Sequence, residues 1–100
     1  FKGDAEGVAL WACTADGGYW IAVDQVRPSE FRVYDRRTLA PAGTFSGHAV
    51  ADTDGIVLQQ DASPRFPAGA LFAQHDNVAV AAFDLRDVVH ALRLDPACAE

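Results

Sequence analysis

The sequence predicts an all-β chain closed by one short helix. Two observations carry that expectation. Short apolar runs rich in strand-forming residues recur along the chain, separated by turns bearing glycine, proline or aspartate. A helical period appears in only one place, where Leu85, Val88, Val89 and Leu92 fall on one face.

Taken in order, Gly7-Val8-Ala9-Leu10-Trp11-Ala12-Cys13 is the first predicted strand, and Asp16-Gly17-Gly18 reads as a hairpin turn, because glycine accepts the positive φ of tight turns. Tyr19-Trp20-Ile21-Ala22-Val23 is the second. Phe31-Arg32-Val33-Tyr34-Asp35-Arg36 alternates apolar with polar, as a half-buried strand does. Asp35-Arg36-Arg37-Thr38 begins a turn, and Ala42-Gly43-Thr44-Phe45 is a weaker fourth strand, giving an antiparallel meander. The pattern then restarts with Asp54-Gly55-Ile56-Val57-Leu58. Pro64 and Pro67 make the next stretch a loop, since proline donates no ladder hydrogen bond. Ala70-Leu71-Phe72-Ala73-Gln74 and Val78-Ala79-Val80-Ala81-Ala82-Phe83 follow as strands. Asp84 is the expected N-cap of the helix, and Pro96 is expected to stop further structure.

One hundred residues are one domain's worth of chain. Half the residues are apolar and 22% are charged, which excludes disorder of the whole chain. No apolar stretch is long enough to span a bilayer, so no membrane partner is expected. Eight Lys and Arg against fourteen Asp and Glu give a net charge of −6, which argues against nucleic acid as a partner. An acidic face suits hard cations such as calcium, and equally serves solubility alone. Cys13 and Cys98 lie 85 positions apart and form no CxxC pair, leaving a disulfide and two buried thiols both open. The opening Phe1-Lys2-Gly3 is that expected of an excised or processed piece.

The two halves share a layout of acidic turn, apolar strand, loop and apolar strand. Each is about 45 residues long, the size of a β-propeller blade. The expected units are 1–47 and 48–100, with the second lacking a fourth strand. A self-contained seven-stranded β-sandwich is the rival architecture.

Chemistry-bearing residues cluster at strand entries. Asp4 and Glu6 are two apart, so regular strand alternation would turn both carboxylates to one side. Two like charges held together are costly unless a cation sits between them, though taken by itself the pair reads more readily as a solvated turn before the strand. Asp52-Thr53-Asp54-Gly55-Ile56 repeats that spacing at the second unit. It is no EF-hand loop, because the sixth and twelfth positions are Val57 and Ser63. Gln74-His75-Asp76-Asn77 offers amide, imidazole and carboxylate groups, but taken alone it reads more strongly as a turn, because Asp and Asn favour turns. Ser29, Ser46 and Ser63 lie in no nucleophile elbow, and His48, His75 and His90 have no zinc spacing.

The runs Gly3-Asp4-Ala5-Glu6-Gly7-Val8-Ala9-Leu10, Tyr19-Trp20-Ile21-Ala22-Val23-Asp24-Gln25 and Phe31-Arg32-Val33-Tyr34-Asp35-Arg36 resemble the penultimate part of the β-propeller phytases. Asp52-Thr53-Asp54-Gly55-Ile56 with Phe66-Pro67-Ala68-Gly69-Ala70-Leu71-Phe72-Ala73-Gln74-His75-Asp76 is similar to that family's C-terminal segment. The resemblance implies the last two blades of a six-bladed propeller that hydrolyses inositol hexakisphosphate, a phosphomonoester, with several calcium ions. It implies Asp4 and Glu6 as catalytic and calcium-binding carboxylates of the central channel, Asp54 as a further calcium ligand, and Gln25 as another across a one-residue gap. Expected partners are the inositol phosphate, reached through calcium, and the remaining blades; the expected location is secreted or periplasmic. His48 stands where the family tends to have an acidic residue, and His75 interrupts its Gln-Asp pair. Lys2 and the arginines are not counterparts of the family's phosphate-binding cations, so this piece alone is expected to be inactive. The rival functions are a non-catalytic propeller and a β-sandwich binding module.

Overall fold

The computed structural model describes residues 4–25, 29–46, 56–75 and 79–99; at 4–6, 25, 74–75 and 79–80 the backbone course alone is described. Among the described residues the chain forms β1 (Asp4–Ala12), β2 (Gly18–Gln25), β3 (Glu30–Asp35), β4 (Pro41–Phe45), β5 (Ile56–Gln59), β6 (Ala70–His75), β7 (Ala79–Asp84), α1 (Leu85–Leu92) and a 3-10 helix, Pro96–Ala99. Two antiparallel sheets result, in the orders β1-β2-β3-β4 and β5-β6-β7. The chain is all-β with one short α-helix, as the alternation predicts. The expected boundary between residues 47 and 48 lies outside the described residues.

Alternation explains which side of each sheet is covered. Ile21 pairs with Val33 and Val23 with Phe31, and all four are fully buried. On the second sheet Leu71 and Ala73 are buried likewise. The neighbouring strand positions point the other way, and Val8 and Val57 are 63% and 64% exposed. The two buried faces share one core, with Trp11, Leu85, Val88, Val89, Leu94 and Cys98. Phe31, Phe45 and Phe83 close the seam as a three-ring cluster with centroids 5.0 to 5.4 Å apart. The Cα radius of gyration is 12.6 Å, close to the ~13 Å expected of a folded chain this long.

The inner edges also meet. β1 runs beside β5, with Gly7 against Ile56. The Gln60 side-chain amide donates to the Ala12 carbonyl at 2.6 Å and accepts from the Ala12 N–H at 3.2 Å. Gly18, at φ +125°, is required where it stands, because a Cβ there would strike the Trp11 carbonyl oxygen.

The helix behaves as predicted. Asp84 Oδ1 accepts from the Arg86 N–H at 2.9 Å, and Leu85, Val88 and Val89 are its buried face. Arg93 ends it in the left-handed region at φ 54°. Pro96 does not stop the chain's structure. It opens the 3-10 helix, because a missing N–H costs nothing in a first turn, and Asp95 accepts there from the N–H groups of Ala97 and Cys98. Cys13 and Cys98 are joined as a disulfide, with Cα atoms 4.9 Å apart. The same tail is held by Tyr19, whose hydroxyl accepts from the Asp95 N–H at 2.9 Å.

The β3–β4 turn is built on Asp35, as the sequence predicts. Its Oδ1 accepts from the backbone N–H groups of Thr38 and Arg37, both at 2.9 Å. Those bonds, with Thr38 foremost, hold the Asp35 carboxyl below its usual 3.8. They favour the charged form, so the turn's contribution is full above the unfolded value and is lost as pH falls through the lower folded value. Denaturant melts between about pH 5 and about pH 2 should show a loss of stability in the wild type that Asp35→Asn lacks. Superimposed acid limbs would refute this account of the turn.

Candidate functional site

One end of the first sheet gathers the polar residues. β1 starts there, β2 ends there and β3 starts there. Asp4 pairs with Gln25, Ala5 with Asp24, and Asp24 with Glu30 on the far side. The structure therefore brings three of the four sequence-predicted ligands, Asp4, Glu6 and Gln25, to one strand end. The fourth, Asp54, lies outside the described residues, as do Asp52, His48, Asp76 and Asn77. β5 begins at Ile56, beside Gly7. Gln74 and His75 end β6, opposite Val80 and Ala79. His90 is exposed on α1.

The expectation that Asp4 and Glu6 share a side through regular alternation needs correction. The register slips between Ala5 and Gly7, so Glu6 falls in a β-bulge and has no cross-strand partner residue. A bulge interrupts the period of two on which that expectation rests, and commonly re-aims a strand end.

Sequence reasoning missed the ion cluster behind these residues. Asp24 is fully buried, although it closes an otherwise apolar strand. Arg32 Nη2 donates to Asp24 Oδ2 at 3.3 Å and to Glu30 Oε2 at 3.2 Å. A buried charge persists only with a partner, so an acid at the end of Ile21-Ala22-Val23 was a signal to look for one. Glu30 and Arg32 stand two apart on one strand and thus share a face, which is the other half of that signal. Ser29, just before β3, is also fully buried.

The donor set at this end consists of carboxylate and amide oxygens, which is the chemistry that hard cations such as calcium take. Asp4, Glu6 and Gln25 fit that ion by kind. Among the described residues, no three His, Cys, Asp or Glu side chains form a metal cage. An open groove of about 280 Å³ lies elsewhere, between Phe45, Phe83, Asp84, Asp87, Val88 and Ala91. It contains none of the predicted ligands, and Asp84 is already engaged as the helix cap. No described helix is long and apolar enough to cross a membrane.

Comparison with family models, with curated proteins and with solved structures finds no match to this chain.

Proposed function

We propose that this chain forms two consecutive blades of a six-bladed propeller and part of a calcium-dependent phosphomonoester hydrolase acting on inositol hexakisphosphate. The observation that supports the reading most is the pairing of Asp4 with Gln25 beside the Glu6 bulge. Gln25 on β2, distant in sequence from Asp4 and Glu6 on β1, thereby comes to the same strand end as the other two residues that the phytase resemblance marks as ligands. The four-strand meander, with β1 running beside β5, also suits blades set side by side.

In this reading Asp4, Glu6 and Asp54 provide carboxylate oxygens and Gln25 an amide oxygen. Calcium, when held there, supplies the positive charge that lets an acidic protein take a polyanionic substrate and activates water for attack on phosphorus. Asp4 and Glu6 would hold that ion, and so its charge would be available to the phosphate. The phosphate-binding cations would come from blades outside this chain. A secreted or periplasmic setting accords with the Cys13–Cys98 disulfide.

A binding module of the β-sandwich type is the second reading. Its support is the single core shared by both sheets and sealed by that disulfide.

Calorimetric calcium titration distinguishes the two. The wild type should bind calcium, and the Asp4→Asn, Glu6→Gln, Asp54→Asn triple variant should lose that binding. Silence of the wild type at millimolar calcium would favour the sandwich module and remove the ground for the hydrolase.

A further inference from the structure

Arg32 sits where the strand end that carries Gln25 is fixed. Asp24 and Glu30 are cross-strand partners in the last described pair of β2 and β3. Arg32 pairs with Ala22, so it reaches Asp24 along the diagonal, a distance that long side chains span. One guanidinium nitrogen, Nη2, meets both carboxylates, at 3.3 and 3.2 Å. Asp24 is fully buried, whereas the Arg32 and Glu30 side chains retain 24% and 30% exposure. The next residue after Asp24 is Gln25, opposite Asp4, and the residue opposite Asp24 on the other side is Ala5, adjoining the bulge.

We propose that Arg32 is a positioning residue for the calcium ligands of this strand end. It acts through Asp24 and Glu30, tying β2 to β3 immediately before Gln25 and so setting the course on which Gln25 and Asp4 face each other. It also occupies two carboxylates that would otherwise compete for the cation. Outer-shell partners of this kind typically tune metal affinity by orienting the ligands. The inference rests on the calcium reading given above.

The test separates positioning from mere charge. Lysine keeps the positive charge of Arg32 but carries it on a shorter, flexible stem, without the rigid guanidinium plane that sets Nη2 between the two carboxylates. Calcium isotherms of wild type and Arg32→Lys are compared well below the melting temperature of both, with near-UV circular dichroism confirming the fold. The expected result is affinity weakened about tenfold or more in Arg32→Lys. Equal affinity would overturn the proposal, since a structural role would lower only the melting temperature and a charge role would be preserved by lysine. If Arg32→Lys does not fold, Glu30→Asp carries the test, because it breaks the Glu30 contact at constant charge on a partly exposed residue. Its affinity should fall severalfold, and an unchanged isotherm would again overturn the proposal. A wild type that binds no calcium overturns the calcium reading itself, an outcome distinct from equal binding by wild type and variant.

Discussion

Reduction of the Cys13–Cys98 bond is expected to lower the melting temperature by about 16 to 40 °C. The bond closes a loop with a sequence separation of 85. In the chain-entropy account, a cross-link over that length withholds about 4 to 5 kcal/mol of freedom from the unfolded chain. For a domain of this size each kcal/mol moves the midpoint by about 4 to 8 °C. The bond joins the far end of β1 to the terminal 3-10 helix, whose other anchors include the buried Leu94, Ala99 against the core, and the Tyr19 hydroxyl on the Asp95 N–H. Calorimetric scans with and without a phosphine reductant, alongside the Cys13→Ala, Cys98→Ala double variant, give the measurement. The reduced and doubly substituted proteins should melt together, far below the oxidised one. Two thiols titrating in the unreduced native protein would refute the linkage outright.

Phe31→Ala should be the most damaging single truncation in the seam between the sheets. Phe31 is fully buried and touches Phe45 on its own sheet and Phe83 on the other. Removing the ring withdraws its buried area and leaves a void that Phe45 and Phe83 must close, 5.4 Å apart as they stand. Truncations of this kind cost about 3 to 5 kcal/mol. Phe66→Ala is the matched comparison, because Phe66 meets Phe72 edge-on and lies under Arg65, in a loop away from the shared core. Urea melts should show the larger loss for Phe31→Ala. Equal losses would mean that the three-ring cluster does not hold the sheets together.

The strands were legible because their burial follows the period of two. Phe31 and Val33 are buried while Arg32 and Tyr34 are less so, and that contrast is written in the residue order. The helix was legible because its cap and its apolar face are local, and so was the Asp35 turn. What depended on distant partners was not. β1 begins at Asp4, three residues before its apolar run, because Asp4 and Ala5 pair with β2 and polar residues give no sign of that. The disulfide joins two cysteines with no local pattern. Pro96 was misread because a proline that ends one helix can equally start another, and the choice is made by Asp95 capping it. At the candidate site, residue types pointed to Asp4 and Glu6, and only the phytase resemblance to Gln25, but the bulge at Glu6 and the Asp24–Arg32 pair arise only from register and burial.

The amide of Gln60 has a consequence for association. Ala12 presents its N–H and C=O on the edge of β1 that β2 leaves unpaired, the edge beside β5, where another chain would add a strand. Both are already occupied by a side chain that imitates a peptide group. An incoming strand would gain no net hydrogen bond at that position until it had first expelled Gln60. The chain thus carries its own stopper against edge-to-edge polymerisation at this corner, made from one uncharged residue where proteins more often use a lysine or a proline.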